Sequence, residues 1–117
     1  MKVLVCGGRD FNDQGFIFAE LDELHSMTPF DCVVQGGALG ADKIGGDWAQ
    51  ERQIPCVEVK ADWKKYGKMA GRIRNADMLR IYKPNLVVAF PGGRGTWDMM
   101  DRAGMAGVRI FTPVYFS

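Results

Sequence analysis

The sequence is short of the residues from which most hydrolytic and metal-dependent sites are built. Its 117 residues include one histidine, His25, and two serines, Ser26 and Ser117. A Ser-His-Asp hydrolase needs a histidine base beside its nucleophile, and a zinc site needs several Cys or His ligands. Neither class fits, and no metal or resident cofactor is implied. His25 itself falls near the end of an expected helix, where a surface position suits it. The three cysteines, Cys6, Cys32 and Cys56, are odd in number, form no CxxC pair and lie in or beside apolar stretches. They predict reduced, buried thiols in a cytoplasmic protein. No apolar run reaches the roughly 18–20 residues of a membrane span, and Met1-Lys2 leads straight into Val3-Leu4-Val5 without a signal-peptide layout. A charge excess is lacking too. Fifteen Lys and Arg against 14 Asp and Glu leave a formal net charge of +1, which argues against a general nucleic-acid binder.

What is abundant is glycine: 15 residues, about 13% against a usual share of roughly 7%. Apolar residues make up 47% and charged residues 25%, the balance of an ordinary globular domain, and residues 1–117 read as one domain without linker or repeat.

Apolar runs alternate with helix-period segments along the whole chain. Val3 to Cys6 predicts a strand, Asn12 or Asp13 a helix cap, and Ile17, Leu21, Leu24 and Met27 the inner face of a helix ended by Pro29. Cys32 to Val34 is the second strand and Leu39 to Arg52 the second helix, with Ala41, Ile44 and Trp48 on one face. Pro55 to Lys60 is the third strand, followed by a basic loop and a helix from Ala70 to Tyr82. Leu86 to Phe90, a helix after Thr96, and a strand from Val108 to Thr112 complete the pattern. Such alternation calls for an α/β fold: a Rossmann-like three-layer sandwich around a five-stranded parallel sheet. Strands one, two and four carry no charge, as central parallel strands should, whereas Glu58 and Lys60 mark strand three and Arg109 marks strand five as edges. Right-handed crossovers then give the order 3-2-1-4-5, with a topological switch between strands one and four.

Eight of the glycines (Gly7, Gly8, Gly36, Gly37, Gly40, Gly92, Gly93 and Gly95) fall in three turns at the carboxyl ends of these strands. Turns of this kind aim backbone amides and helix N-termini at one point, which is an anion site, most often for phosphate. The dinucleotide fingerprint GxGxxG is absent, Gln35 stands where an acid would hold the ribose of NAD, and no GxxxxGK[ST] is present. From Lys60 to Arg74 six cations meet one acid, a local +5 against −4 for the rest. That segment reads as the counter-charge of a small phosphorylated ligand or as a solvated loop.

The ordered motifs Cys6-Gly7-Gly8-Arg9-Asp10-Phe11, Gln35-Gly36-Gly37-Ala38-x-Gly40-Ala41-Asp42, Ala61-Asp62-Trp63, Arg74-Asn75-Ala76 and Pro91-Gly92-Gly93-x-Gly95-Thr96 resemble the YspA-like family of the SLOG superfamily. That superfamily also holds the Lonely Guy phosphoribohydrolases and DprA, and the resemblance spans roughly residues 1–112. It implies a protein that binds a nucleotide or nucleotide-derived ligand, such as a nucleoside phosphate or an ADP-ribose-like molecule. It also implies a homo-oligomer. By analogy with Lonely Guy enzymes, Arg74 and Asp98 would serve N-glycosidic hydrolysis of a nucleoside 5′-monophosphate. Asn75 replaces the lysine of that pattern, and Met99 occupies the position of its glutamate. A sensor or sequestering protein that holds its ligand without turnover is the alternative, and DprA-like nucleic-acid binding is a further one.

Other candidate ligand residues carry competing readings. Arg9 and Asp10 could clamp ribose or phosphate, or form a surface ion pair. Asp42 could contact ligand or cap its helix. Asp98 could act chemically or complement a helix dipole. Trp63 and Tyr66 could stack a base, Trp63 alternatively packing over the sheet. Trp48, Met78 and Met100 read as core or dimer surface.

Overall fold

In a computed structural model describing residues 1–116, period-two alternation in the first strand divides the core in two. Along β1 (Lys2–Cys6), Val3 and Val5 point into one apolar cluster and Leu4 and Cys6 into another. Successive strand side chains face opposite sides of a sheet, and helices cover both. Helices α1 (Gln14–Met27) and α2 (Ala41–Glu51) supply Ile17, Leu21, Ile44 and Trp48 to the first cluster.

On the opposite side, α4 (Ala70–Tyr82) and α5 (Arg94–Met105) supply Met78, Met99 and Ala103. The strands β2 (Cys32–Gln35), β3 (Cys56–Glu58), β4 (Leu86–Ala89) and β5 (Arg109–Phe111) pair in parallel with β1 in the order β3-β2-β1-β4-β5. This is the expected three-layer α/β architecture with the expected strand order. The edges follow the charges: β1, β2 and β4 are largely buried, while β3 is mostly and β5 wholly exposed.

Several local expectations need correction. The basic segment is not simply a loop, because Trp63–Tyr66 form a one-turn helix, α3, continued by a 3-10 turn at Gly67–Met69. Asp62 caps it, accepting the Lys65 N–H at 3.0 Å. Asp13, not Asn12, caps α1 by accepting the Phe16 N–H. That helix ends before Pro29 as expected, but Met27 is 66% exposed rather than part of its inner face. Of the cysteines only Cys6 is buried; Cys32 is half-buried and Cys56, on an edge strand, is exposed. His25 is half-buried rather than a free surface residue, its Nδ1 accepting the Phe30 N–H at 2.9 Å with its ring edge-on to Phe30 and Trp48. Trp48 and Met78 belong to the core. Among the described residues no helix is long and apolar enough to cross a membrane.

Candidate functional site

The three glycine turns meet above the β1–β4 switch, and they interlock. The Gly8 N–H donates to the Pro91 carbonyl at 2.8 Å, and the Gly8 carbonyl accepts the Ala41 N–H at 3.3 Å. A Cβ on Gly7 would lie 2.6 Å from that of Ala41 and 2.9 Å from that of Phe90. Gly40, with φ of +78°, has no room for a Cβ against the Gly8 and Arg9 carbonyl oxygens. Here glycine serves close backbone approach.

The backbone amides of the three turns are unequally engaged. Gly37 N–H donates to Gln35 Oε1 at 2.6 Å and Ala38 N–H to Asp42 Oδ2 at 3.4 Å, so the second turn largely satisfies itself. The third does not. Among the described residues, the five consecutive amides from Gly92 to Thr96 donate to no protein acceptor, and α5 has no side-chain cap. A Cβ on Gly93 or Gly95 would meet only open space. The unsatisfied start of a helix is where an anion finds both hydrogen-bond donors and a favourable dipole.

This helix start opens into a groove of about 1590 Å³. Seven cations line it (Arg9, Lys60, Lys68, Arg72, Arg74, Arg94 and Arg102) against four carboxylates, Asp10, Asp42, Asp98 and Asp101. Clustering cations in a cleft concentrates positive potential that a net charge of +1 conceals. Arg74, on α4, donates through Nη1 to the Gly36 carbonyl at 2.6 Å and through Nε to Asn75 Oδ1 at 3.2 Å. Asp98, on α5, accepts from Asn75 Nδ2 at 3.0 Å and pairs with Arg102 Nε at 2.9 Å.

Asp42 is the electrostatic outlier. It is 5% exposed at the start of α2, and burial raises its pKa to about 6 even though Arg74 and the Ala38 and Gly36 amides favour its charged form. Nearby Cys6 is buried as well, and that burial pushes its thiol far above the ordinary range, so it stays protonated and inert.

The groove brings together Gly7, Gly8, Arg9, Asp10, Gly36, Gly37, Asp42, Trp63, Arg74, Asn75, Pro91, Gly92, Gly93, Gly95, Thr96 and Asp98 from the sequence-derived set. Gly40 and Tyr66 do not line it. Gly40 supports the first turn from behind, and Tyr66 faces Lys65. Asp42 does not cap α2, whose N-cap position is Gly40 and has no side-chain cap. Asp98 lies beyond the first turn of its helix and is ion-paired there. Trp63 is 60% exposed at the rim rather than packed over the sheet. Arg94, Trp97, Asp101 and Arg102 also line the groove, although sequence reasoning did not single them out. The one signal available was the four-residue spacing of Asp98 and Arg102, which places an ion pair on one helix face.

Parallel strands, helices on both faces and a glycine-rich groove at the switch point define a Rossmann-like α/β protein with a cationic groove above its sheet. The family model for the YspA, cpYpsA-related SLOG family matches residues 1–66. The Gene 61 protein of Mycobacterium phage D29 is 39% identical over 117 aligned residues, covering 93% of each chain. The chain belongs to the YspA, cpYpsA-related SLOG family. The stretch matched by the family model holds the first two glycine turns and Asp42 and ends before Arg74 and the Pro91–Thr96 turn.

Proposed function

We propose that this protein binds a nucleotide or nucleotide-derived ligand, a nucleoside phosphate or an ADP-ribose-like molecule, in the groove above β1 and β4. The observation that carries the reading is the run of five free amides from Gly92 to Thr96 at the uncapped start of α5, inside a cationic cleft. A phosphate there would accept backbone hydrogen bonds and complement the helix dipole. Arg9, Arg94 and Arg74 supply further charge, and Trp63 offers an aromatic face to a base. Membership of the SLOG family is consistent with nucleotide-related binding.

Two chemistries compete for the bound ligand. In the hydrolytic one, Arg74 grips the sugar-phosphate and Asp98 assists cleavage of the N-glycosidic bond. In the other, the ligand is held without turnover, as a sensed or sequestered signal. The second is favoured by the setting of Asp98, whose carboxylate is already engaged by Asn75 and Arg102. A carboxylate already held by two donors is poorly placed to turn toward a reacting sugar.

Calorimetric titration with AMP, ADP-ribose and cyclic ADP-ribose tests the binding, and saturable binding of at least one is expected. Heat of dilution alone for all three overturns the proposal. Incubation with purine 5′-monophosphates followed by chromatography separates the chemistries, and free base would restore the hydrolytic one. Self-association is proposed with it, through the exposed Trp97 and Met105 on α5. Light scattering should then give a multiple of the 13.0 kDa chain mass, and a monomer mass would remove that part.

A further inference from the structure

We propose that Asp42 is the acceptor for the sugar hydroxyls of the ligand, so that the site selects ribonucleotides over 2′-deoxyribonucleotides. The inference deepens the nucleotide reading above and rests on it. A carboxylate inside a predominantly cationic groove repels phosphate and therefore selects for a part of the ligand that donates hydrogen bonds. Asp42 is the buried carboxylate there whose acceptor sites no cation occupies. Asp98 is held by Asn75 and Arg102, while Asp10 and Asp101 stand exposed at the rim. Among the described residues, no Lys or Arg lies within ion-pair distance of Asp42.

The Ala38 N–H approaches Asp42 Oδ2 at a long 3.4 Å, and the Gly36 amide also faces the carboxylate. A carboxylate offers about four acceptor positions, so these two donors leave it room for a diol.

The surroundings fix the carboxylate where a sugar would pass. The small residue Gly36 lets Asp42 and Arg74 converge: a Cβ there would lie 2.9 Å from Asp42 Oδ2 and 2.6 Å from Arg74 Nη1. From β1 the protonated Cys6 thiol faces the pair, and from β3 Glu58, itself engaged by Gln35 and Lys60, adds repulsion. Arg74 thus stands beside Asp42 as a donor for a phosphate or ring oxygen, while Asp42 accepts from the vicinal hydroxyls. Gln35, at the end of β2, has its amide turned to Glu58 and the Gly37 N–H. It leaves the hydroxyl-binding task to the carboxylate one turn further on.

The test is titration of the full chain with two matched pairs, AMP against 2′-deoxy-AMP and GMP against 2′-deoxy-GMP. The ribo form should bind about 10- to 100-fold tighter in both pairs, as expected for a hydrogen bond to a charged acceptor. Asp42→Asn, checked for folding by circular dichroism, should bring the ratio close to one while phosphate-dependent binding remains. A second readout needs no variant. In the parent protein the ratio should fall as pH drops through about 6, where Asp42 takes up its proton. Phosphate titration affects both members of a pair alike and cancels. Equal affinity for ribo and deoxy forms overturns the role of Asp42 while leaving the nucleotide reading intact. So does a loss on Asp42→Asn that follows the exocyclic amine, seen as AMP against IMP, rather than the sugar. No binding of any nucleotide overturns both.

Discussion

Asp42 is buried in the groove with a pKa of about 6 against 3.8 for an ordinary aspartate. Its desolvation therefore outweighs the attraction of Arg74 and the backbone amides. The folded protein holds this proton more tightly than the unfolded chain, so the linked stability is full below pH 4 and is lost as pH rises through 6. The shift corresponds to roughly 3 kcal/mol. Asp42→Asn removes the titration while keeping a side-chain oxygen for the Ala38 N–H. Its stability relative to the parent should improve by about 2–3 kcal/mol between pH 4 and pH 7.5, as read from urea unfolding at both values. A difference that does not change with pH would show that the carboxylate is better solvated than its setting implies. A residue that costs stability at neutral pH is what a binding role would explain. At this scale the glycines, Arg74 and Asp42 were legible because turn chemistry and charge are local properties. Which amides stay free was not. That depends on contacts such as Gly8 with Pro91, some 80 residues apart in the chain.

Between elements, Asn75 ties α4 to α5 beside the groove. Asn75 is 4% exposed. Its Nδ2 donates to the Gly95 carbonyl and to Asp98, while its Oδ1 receives Arg74 Nε. It thereby fixes the start of α5 and the orientation of Arg74 together. A lysine, which has no acceptor, could not receive Arg74 Nε. Asn75→Ala removes a buried amide from three partners, the Gly95 carbonyl, Asp98 and Arg74 Nε, and should cost about 1–3 kcal/mol by urea denaturation. A loss within 0.5 kcal/mol would mean that water replaces the amide without penalty. The strand order was readable because parallel central strands exclude charge, which left Glu58 and Arg109 to identify the edges. By contrast, α3 escaped notice: Trp63–Tyr66 is a single turn with no buried residue, so it has no apolar period to detect. Its one signal was Asp62 as a cap. The Met27 and Cys56 expectations failed for a related reason, since apolar character predicts burial only where a neighbouring layer extends far enough to cover it.

Over the whole molecule, near-neutral charge hides a strong internal asymmetry, and ionic strength exposes it. Seven cations and four carboxylates line the groove while the chain nets +1. A mononucleotide and a polyanion should respond differently. A mononucleotide occupies one phosphate position and releases few counterions, so its affinity should fall only gently with salt, by less than about tenfold between 50 and 200 mM. A single strand engaging the basic segment Lys60–Arg74 as well would neutralise several phosphates, and its slope would steepen by about 0.7 for each one contacted. The lining favours the first outcome. Lys60, Lys68, Arg72 and Arg74 face the groove, whereas Lys64 and Lys65 do not, so four of the segment's six cations gather at the compact site. Titrating AMP and a 12-nucleotide single strand across this salt range should give a shallow line for the former and weak, salt-abolished binding for the latter. A strand that bound more tightly than the mononucleotide at 150 mM salt, with a slope steeper than about −3, would transfer the assignment to nucleic-acid recognition. The free amides at α5 would then serve a phosphate within a longer polymer.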